Sequence, residues 1–203
     1  MTFRTTGIII GKKDFREYDR LFTIYTLERG KIQAMAQGSR KLASKLAGNL
    51  ELLNYATFTI AQGKSIDRIA TVDVKESFTT LKQSLEKLVV ALHCFEVFDQ
   101  CVKWDECDEV LFETLKDFLE TVRDVPETSR VRTAKLFLLK LCLIMGYQPP
   151  MLKGVEKISD NPLSTLLEVR MVPEIDKAIA SFYEEHLERP LRSKEYFDFL
   201  AGA

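Results

Sequence analysis

Residues 20–36 read RLFTIYTLERGKIQAMA and decide the fold of the first part of the chain. Apolar and polar side chains alternate in part through Arg20–Thr26 and again through residues 31–36, as they do in half-buried strands. The residues ERG at 28–30 separate the two runs, and glycine suits the positive φ that a tight turn requires. The stretch therefore predicts a β-hairpin with Gly30 in its turn.

Three more runs have the composition of strands, at residues 6–11 (TGIIIG), 55–60 (YATFTI) and 66–74 (IDRIATVDV). Five short strands with no long helix between them predict a small closed barrel. From residue 79 onward the apolar spacing becomes helical. It predicts helices at residues 81–98, 110–122, 126–145, 174–187 and 193–200, the last two buried through side chains that include Phe197 and Phe199.

The chain is therefore expected to be an α+β protein, with a five-stranded barrel at residues 1–78 and an all-α domain at residues 79–203. Residues 146–173 contain four prolines and two glycines, so this part of the helical domain is predicted to be irregular.

Charge is distributed unevenly along the chain. The first 45 residues hold ten basic and four acidic residues, whereas the whole chain has a net charge of −1. This asymmetry predicts that the barrel end attracts a polyanion. The candidate nucleic-acid contacts are Lys12, Lys13, Arg16, Arg20, Lys31, Arg40, Lys41 and Lys45.

Two predicted loops hold most of these cations. Residues 37–45 (QGSRKLASK) combine three cations with two serines and no acid, which are the donors that phosphate oxygens need. Lys12, Lys13 and Arg16 occupy the other loop. Phe15, Tyr18, Phe22 and Tyr25 offer rings on which bases could stack, although Phe22 and Tyr25 fit a barrel core equally well. A solvated surface is the alternative.

The motifs of common enzymes are absent: the sequence has no phosphate-binding loop, dinucleotide fingerprint, zinc-protease motif or nucleophile elbow. His93 lies in an apolar helical run, which favours a core or interface position over catalysis. His186 lies near a helix end, where a cation suits the helix dipole. The acids around Asp108 fit a helix cap better than a metal site. We expect no catalytic residue and no metal or cofactor, with an unrecognised hydrolase that uses these acids as a remote alternative.

The four cysteines are Cys94, Cys101, Cys107 and Cys142. Their spacing fits no standard zinc site, so reduced and mostly buried thiols are expected. The sequence has neither a run of about 18 apolar residues nor a signal-peptide pattern, which predicts a cytoplasmic protein with no membrane span.

Several short motifs along the chain form a recognisable set. They are an apolar first strand at residues 8–10, Asp19-Arg20, E-x-G-K at residues 28–31, A-x-G-x-R at residues 36–40, L-x-G at residues 46–48, and LERPLRS at residues 187–193. Together they resemble the RecO family of bacterial recombination mediators, whose members end in L-x-x-P-L-[RK]-S. The resemblance covers both ends of the chain and implies an oligonucleotide-binding (OB) barrel followed by a helical domain.

This resemblance also implies a function without catalysis. Such a protein binds single- and double-stranded DNA, anneals complementary strands, and works with RecR to let RecA replace single-strand binding protein (SSB). It also holds the acidic, phenylalanine-ending tail of SSB on its helical domain. The candidate tail site here is Arg130, Arg132 and Lys135, beside an apolar surface expected from Leu136, Phe137 and Leu139. Ordinary helix-surface cations are the alternative.

Two departures from the family pattern have consequences. Many members carry a four-cysteine zinc element, whereas residues 146–173 contain no cysteine here, so no zinc is expected. Gln37 stands where the family usually has lysine, which weakens one phosphate contact. The alternative function is a protein-interaction adaptor, whose barrel binds a protein partner and nucleic acid only incidentally.

Overall fold

The chain folds into two compact units in a computed structural model, which describes residues 1–41, 48–150, 152 and 156–202. The barrel unit contains Met1–Phe78 together with Val102–Phe112, and the helical unit contains Thr79–Cys101 and Glu113–Ala203. Residues 102–112 thus belong to the barrel unit, although they follow the first helices in the sequence. The division into a DNA-binding domain at residues 1–78 and a helical domain at residues 79–203 stays a prediction.

Five strands form the barrel. They are β1 (Thr2–Asp14), β2 (Arg20–Thr26), β3 (Gly30–Ala36), β4 (Tyr55–Ala61) and β5 (Asp67–Glu76). They close in the order β1-β2-β3-β5-β4, with β3 and β5 parallel and the other neighbours antiparallel. The predicted five-stranded OB barrel, followed by helices, is confirmed. Strand β1 is longer than expected, so Lys12 and Lys13 lie on a strand and not in the loop where we placed them.

The barrel core explains the alternation in the hairpin sequence. Phe22 and Ile24 on β2 and Phe58 on β4 are fully buried inside the barrel. Tyr25 is also fully buried, and its ring stacks on Phe112 with the centroids 6.4 Å apart. Phe22 and Tyr25 are therefore interior residues, and they are unavailable to stack on bases.

The hairpin turn requires glycine for two reasons. Gly30 has a φ of 63°, which side chains other than glycine rarely adopt, as the sequence predicted. A Cβ atom at Gly30 would also lie 1.9 Å from the backbone oxygen of Glu106. Glu28 ties the turn to β1, since its carboxylate accepts hydrogen bonds from Thr5 Oγ1 at 2.5 Å and the Thr6 amide at 3.0 Å.

Helices make up the second unit. They are α1 (Thr79–Gln83), α2 (Leu85–Cys101), α3 (Glu109–Asp124), α4 (Arg130–Ile144), α5 (Glu156–Asp160), α6 (Leu163–Leu166), α7 (Pro173–His186) and α8 (Lys194–Ala201). None of the helices in the described ranges is long and apolar enough to cross a membrane.

Helix boundaries differ from prediction in three places. The single helix expected at residues 81–98 is broken at Ser84, whose hydroxyl accepts a hydrogen bond from the Lys87 amide and so caps α2. A 3₁₀ turn, Glu127–Ser129, precedes α4. The segment predicted to be irregular, residues 146–173, contains the short helices α5 and α6.

A partly buried polar cluster joins α2 to the start of α8. The Glu96 carboxylate accepts hydrogen bonds from the Arg192 amide, the Ser193 amide and Ser193 Oγ, at 3.0, 3.0 and 2.6 Å. His93 is fully buried, with Nδ1 2.9 Å from Ser193 Oγ and Nε2 3.0 Å from the Tyr183 hydroxyl. The cluster holds the LERPLRS segment against α2.

Aromatic packing completes this junction. The ring of Phe197 stacks on His93 with a centroid distance of 4.1 Å. Phe199, in contrast, is 81% exposed, so the expectation that it is buried was wrong. His93 is a core residue, in agreement with the prediction.

Candidate nucleic-acid interface

Two loops meet at one end of the barrel. Because β1, β2 and β3 are successive antiparallel strands, the end of β1, the start of β2 and the end of β3 lie at the same end. Asp19 Oδ1 accepts a hydrogen bond from the Gly38 amide at 2.8 Å, and the Tyr18 carbonyl accepts one from the Arg40 amide at 3.0 Å. These two bonds fasten the β1–β2 loop to the loop that follows β3.

Cations and aromatic rings alternate across the joined loops. We call this the two-loop surface and define it as Phe15, Arg16, Tyr18, Arg20, Arg40 and Lys41. Phe15 is 37% exposed and Tyr18 is 47% exposed. Lys41 Nζ lies 5.4 Å from the centroid of the Tyr18 ring, and Arg16 Cζ lies 5.2 Å from that of Phe15.

An acidic residue lies among these cations. Arg20 Nε is 3.1 Å from Asp14 Oδ1, and Arg40 Nη1 is 3.4 Å from Asp14 Oδ2. Asp14 and Arg20 face each other across β1 and β2, whereas Arg40 comes from the loop after β3. No pattern in the sequence indicates that Asp14 pairs with these two arginines.

The remaining predicted contacts are distributed differently. Lys12 and Lys13 are exposed on β1. Lys31 is 5% exposed, and its ammonium lies 4.5 Å from the centroid of the Trp104 ring, so the structure removes it from the DNA-contact set. Ser39 is also buried and offers no hydroxyl to a phosphate. Lys45 lies outside the described residues.

The acids near Asp108 cap a helix. Asp108 Oδ1 accepts a hydrogen bond from the Leu111 amide at 3.0 Å, as an N-cap of α3 does, which confirms the cap interpretation. Within the described part of the chain, no group of three or more His, Cys, Asp or Glu side chains could hold a metal ion.

All four cysteines are free thiols. Cys94 and Cys142 are buried, whereas Cys101 is half-buried and Cys107 is exposed. Burial raises the pKa of the Cys94 thiol well above its ordinary value, which suits an inert core residue.

The candidate tail site in the helical unit needs a correction. Leu136, Phe137 and Leu139 are fully buried, so the apolar surface we expected from them does not exist. Arg130 donates to the carbonyl of Glu127, and Arg132 donates to that of Val169. Both arginine side chains are therefore hydrogen-bonded to backbone carbonyl groups of the protein itself.

Lys135, the third predicted residue, lines a groove between α4, α7 and α8. The groove has a volume of about 430 Å³. Its apolar lining includes Leu138, Ile179 and Phe197, and Lys194 stands on its α8 side. Asp176 also lines the groove and pairs with Lys135 at 2.7 Å.

Comparison with known proteins identifies the family. The sequence model described as "Recombination protein O N terminal" matches residues 1–78. The protein named DNA repair protein RecO of a Dehalococcoides mccartyi strain is 32% identical over 148 residues, and that of Acetivibrio thermocellus is 30% identical over 148 residues. The chain belongs to the RecO family. A third RecO relative, from Symbiobacterium thermophilum, is 23% identical over 99% of this chain and 98% of its own length.

The first two RecO matches are partial. Each covers 72% of this chain, but 57% of the Dehalococcoides mccartyi protein and 58% of the Acetivibrio thermocellus protein. The matched region thus spans less than two thirds of the length of each of these two relatives.

The structure gives the RecO-like motifs physical roles. In Asp19-Arg20, the acid holds the Gly38 amide and the arginine faces outward beside Asp14. In A-x-G-x-R, Gly38 has a φ of 64°, which turns the chain so that the Arg40 amide reaches Tyr18. The motifs therefore build the two-loop surface. Leu46 and Ala47, in L-x-G, lie outside the described residues.

Proposed function

We propose that this RecO-family protein is a DNA repair and recombination mediator that binds single- and double-stranded DNA and anneals complementary strands. The observation that carries the proposal is the two-loop surface, where exposed rings and four cations lie on one end of an OB barrel. The relatives it matches are named DNA repair proteins.

The chemistry of the two-loop surface suits single strands. Phosphate oxygens bind guanidinium and ammonium groups, and the exposed faces of Phe15 and Tyr18 can stack on unpaired bases of any sequence. A hydrogen bond with Glu17 raises the pKa of the Tyr18 phenol above its ordinary value. Double-stranded DNA would use the phosphate contacts alone. Binding of complementary single strands on such surfaces brings them together, which favours annealing.

The proposed role is one of binding and positioning, not of bond chemistry, in the cytoplasm and without a cofactor. With RecR as a partner, the protein would help RecA to replace SSB on single-stranded DNA. Family membership supports this part of the proposal, and no residue is assigned to the contact with RecR or RecA.

A titration of a fluorescent single-stranded oligonucleotide at several salt concentrations tests the proposal. Four cations at the two-loop surface should give a slope of log K against log salt of roughly −3, since each phosphate contact on a single strand contributes roughly −0.7. The protein should also accelerate the annealing of complementary oligonucleotides. DNA binding far weaker than micromolar at physiological salt would favour the adaptor alternative.

We further propose that the groove lined by Lys135 and Lys194 receives the end of the SSB tail. A phenylalanine side chain would pack on Ile179 and Phe197, and its carboxylate would bind Lys194 and take the place of Asp176 beside Lys135. The groove is also lined by Asp176, Glu184 and Asp198. These acids would repel the acidic residues of the tail, so only the terminal phenylalanine would enter the groove.

Alanine at both Lys135 and Lys194 should weaken binding of an SSB tail peptide about tenfold. The reason is the loss of two cations facing one carboxylate, worth together about 1.4 kcal/mol. Isothermal titration with the tail peptide measures this loss, and a peptide without its last phenylalanine should bind neither protein. Arg130→Ala is the control, because Arg130 does not line the groove. If Arg130→Ala weakens binding and the lysine variant does not, the groove is not the tail site.

A further inference from the structure

The Asp14 carboxylate lies where two guanidinium groups converge. One carboxylate oxygen is 3.1 Å from Arg20 Nε, and the other is 3.4 Å from Arg40 Nη1. The two arginines come from different elements, so the protein directs two separate cations at a single anionic position. Carboxylate and phosphate groups are both suited to guanidinium binding, because each presents two or more oxygens to the planar donors.

The two ion pairs are weak enough to be exchanged. The side chains of Arg20, Arg40 and Asp14 are 34%, 38% and 56% exposed. Ion pairs at such exposure contribute little to folding stability, because water screens them and long side chains lose entropy on pairing. An incoming anion that makes further contacts nearby can therefore displace the carboxylate.

The backbone of the arginines is held without the Asp14 side chain. Arg20 is paired in register with Ala36 on β3, and the Arg40 amide donates to the Tyr18 carbonyl. The Asp19 carboxylate holds the neighbouring Gly38 amide at 2.8 Å. Removing the Asp14 carboxylate should thus leave both guanidinium groups near the same position, free to bind another anion.

We propose that Arg20 and Arg40 form a binding position for one backbone phosphate of DNA, which Asp14 occupies as an internal competitor when DNA is absent. The inference rests on the function proposed above and names a residue that sets its affinity. A phosphate must displace Asp14 to bind, so an anion with no second contact competes poorly. A strand that also stacks a base on Tyr18, beside Lys41, competes well. Asp14 thereby selects polymeric anions over small ones.

The test compares single-stranded oligonucleotide binding by the wild-type chain, Asp14→Asn and Asp73→Asn. Asp73 is an exposed acid on β5 of the same barrel, so its substitution makes the same change in net charge. Asp14→Asn should bind roughly 3- to 10-fold more tightly, the effect of freeing two exposed ion pairs. Asp73→Asn should change affinity less than twofold, as expected for a screened charge farther from the ligand. The gain should vanish when Arg20 and Arg40 are both replaced by alanine.

Any result other than a gain in affinity specific to Asp14→Asn overturns the proposal. Equal gains in Asp14→Asn and Asp73→Asn would show a general charge effect, and weaker binding by Asp14→Asn would show that the acid merely orients the arginines. Asp14→Ser provides a second, smaller neutral side chain, and thermal unfolding verifies that each variant is folded. If the wild-type chain binds DNA but Asp14→Asn shows no specific gain, this inference fails and the proposed function stands. If the wild-type chain shows no salt-dependent DNA binding, both fail.

Discussion

Alanine at both Arg40 and Lys41 is expected to weaken the binding of single-stranded DNA about 30-fold at physiological salt. Each cation supplies one exposed phosphate contact of about 1 kcal/mol, and the two together give about 2 kcal/mol. The slope of log K against log salt should become less steep by roughly 1.4, because each lost contact on a single strand removes roughly 0.7. Fluorescence anisotropy at several salt concentrations measures both quantities.

The matched control for this variant is alanine at both Arg4 and Lys75. These two cations are exposed on the same barrel, near the start of β1 and near the end of β5, so the change in net charge is identical. Affinity and salt slope should stay close to those of the wild-type chain. Equal losses in the two double variants would mean that net charge and not the two-loop surface determines binding.

Local sequence pattern predicts the barrel well. In Arg20–Thr26, the interior residues Phe22 and Ile24 alternate with outward-facing neighbours, so period-two spacing identifies the strand. Gly30 marks the hairpin because its backbone conformation excludes other residues. These signals depend on interactions within one strand or turn, which is why the sequence reveals them.

Contacts between distant residues are not predictable in the same way. Lys31 has the composition of a surface cation, yet it lies beneath Trp104, which is 73 positions away in the sequence. Residues 102–112 join the barrel unit because the Asp105 amide donates to the Lys31 carbonyl at 3.0 Å. No periodicity in either segment indicates the other. The set of contacts predicted from the sequence therefore includes Lys31, a cation that is covered in the folded protein.

The candidate site was predicted in part for the same reason. Arg40 and Lys41 stand out by composition, since basic residues without acids cluster in a loop. The role of Asp19 as a fastener depends on the Gly38 amide, 19 positions away, and that of Asp14 depends on two arginines from different elements. On α4, helical spacing could not decide which apolar residues face solvent. Neighbouring helices cover Leu136 and Phe137, and Leu138, which lines the groove, is itself only 1% exposed.

His93 should make the helical unit less stable as the pH falls from about 6.5 to about 4. Burial lowers the pKa of His93 to about 4 from an ordinary value of 6.5, despite the opposing charge of Glu96. The unfolded chain therefore takes up a proton before the folded chain does. The stabilisation is fully present above pH 6.5 and is lost as the pH falls through this window, by about 3 kcal/mol in the free energy of unfolding.

The hydrogen bonds around His93 explain why its neutral form is required. Ser193 Oγ donates its proton to Glu96 Oε2 at 2.6 Å, so His93 Nδ1 must be the donor in the bond to Ser193. Nε2 is then the acceptor from the Tyr183 hydroxyl at 3.0 Å. A second proton on the ring would remove the lone pair of Nε2 that accepts the hydrogen bond from the Tyr183 hydroxyl.

Urea unfolding followed by helical circular dichroism at pH 7, 5.5 and 4.5 measures the effect. Burial alone would raise the pKa of Glu96, but hydrogen bonds from Ser193 and Arg192 lower it, so this acid loses its contribution only at lower pH. His93→Asn should be less stable than the wild-type chain at pH 7, because it loses the stacking on Phe197. It should also lose much less stability between pH 6.5 and 4.5, because it has no ring to protonate. His186→Asn removes the other histidine of the chain and should retain the wild-type pH dependence. A steep loss that persists in His93→Asn, or disappears in His186→Asn, would assign the acid sensitivity to another group.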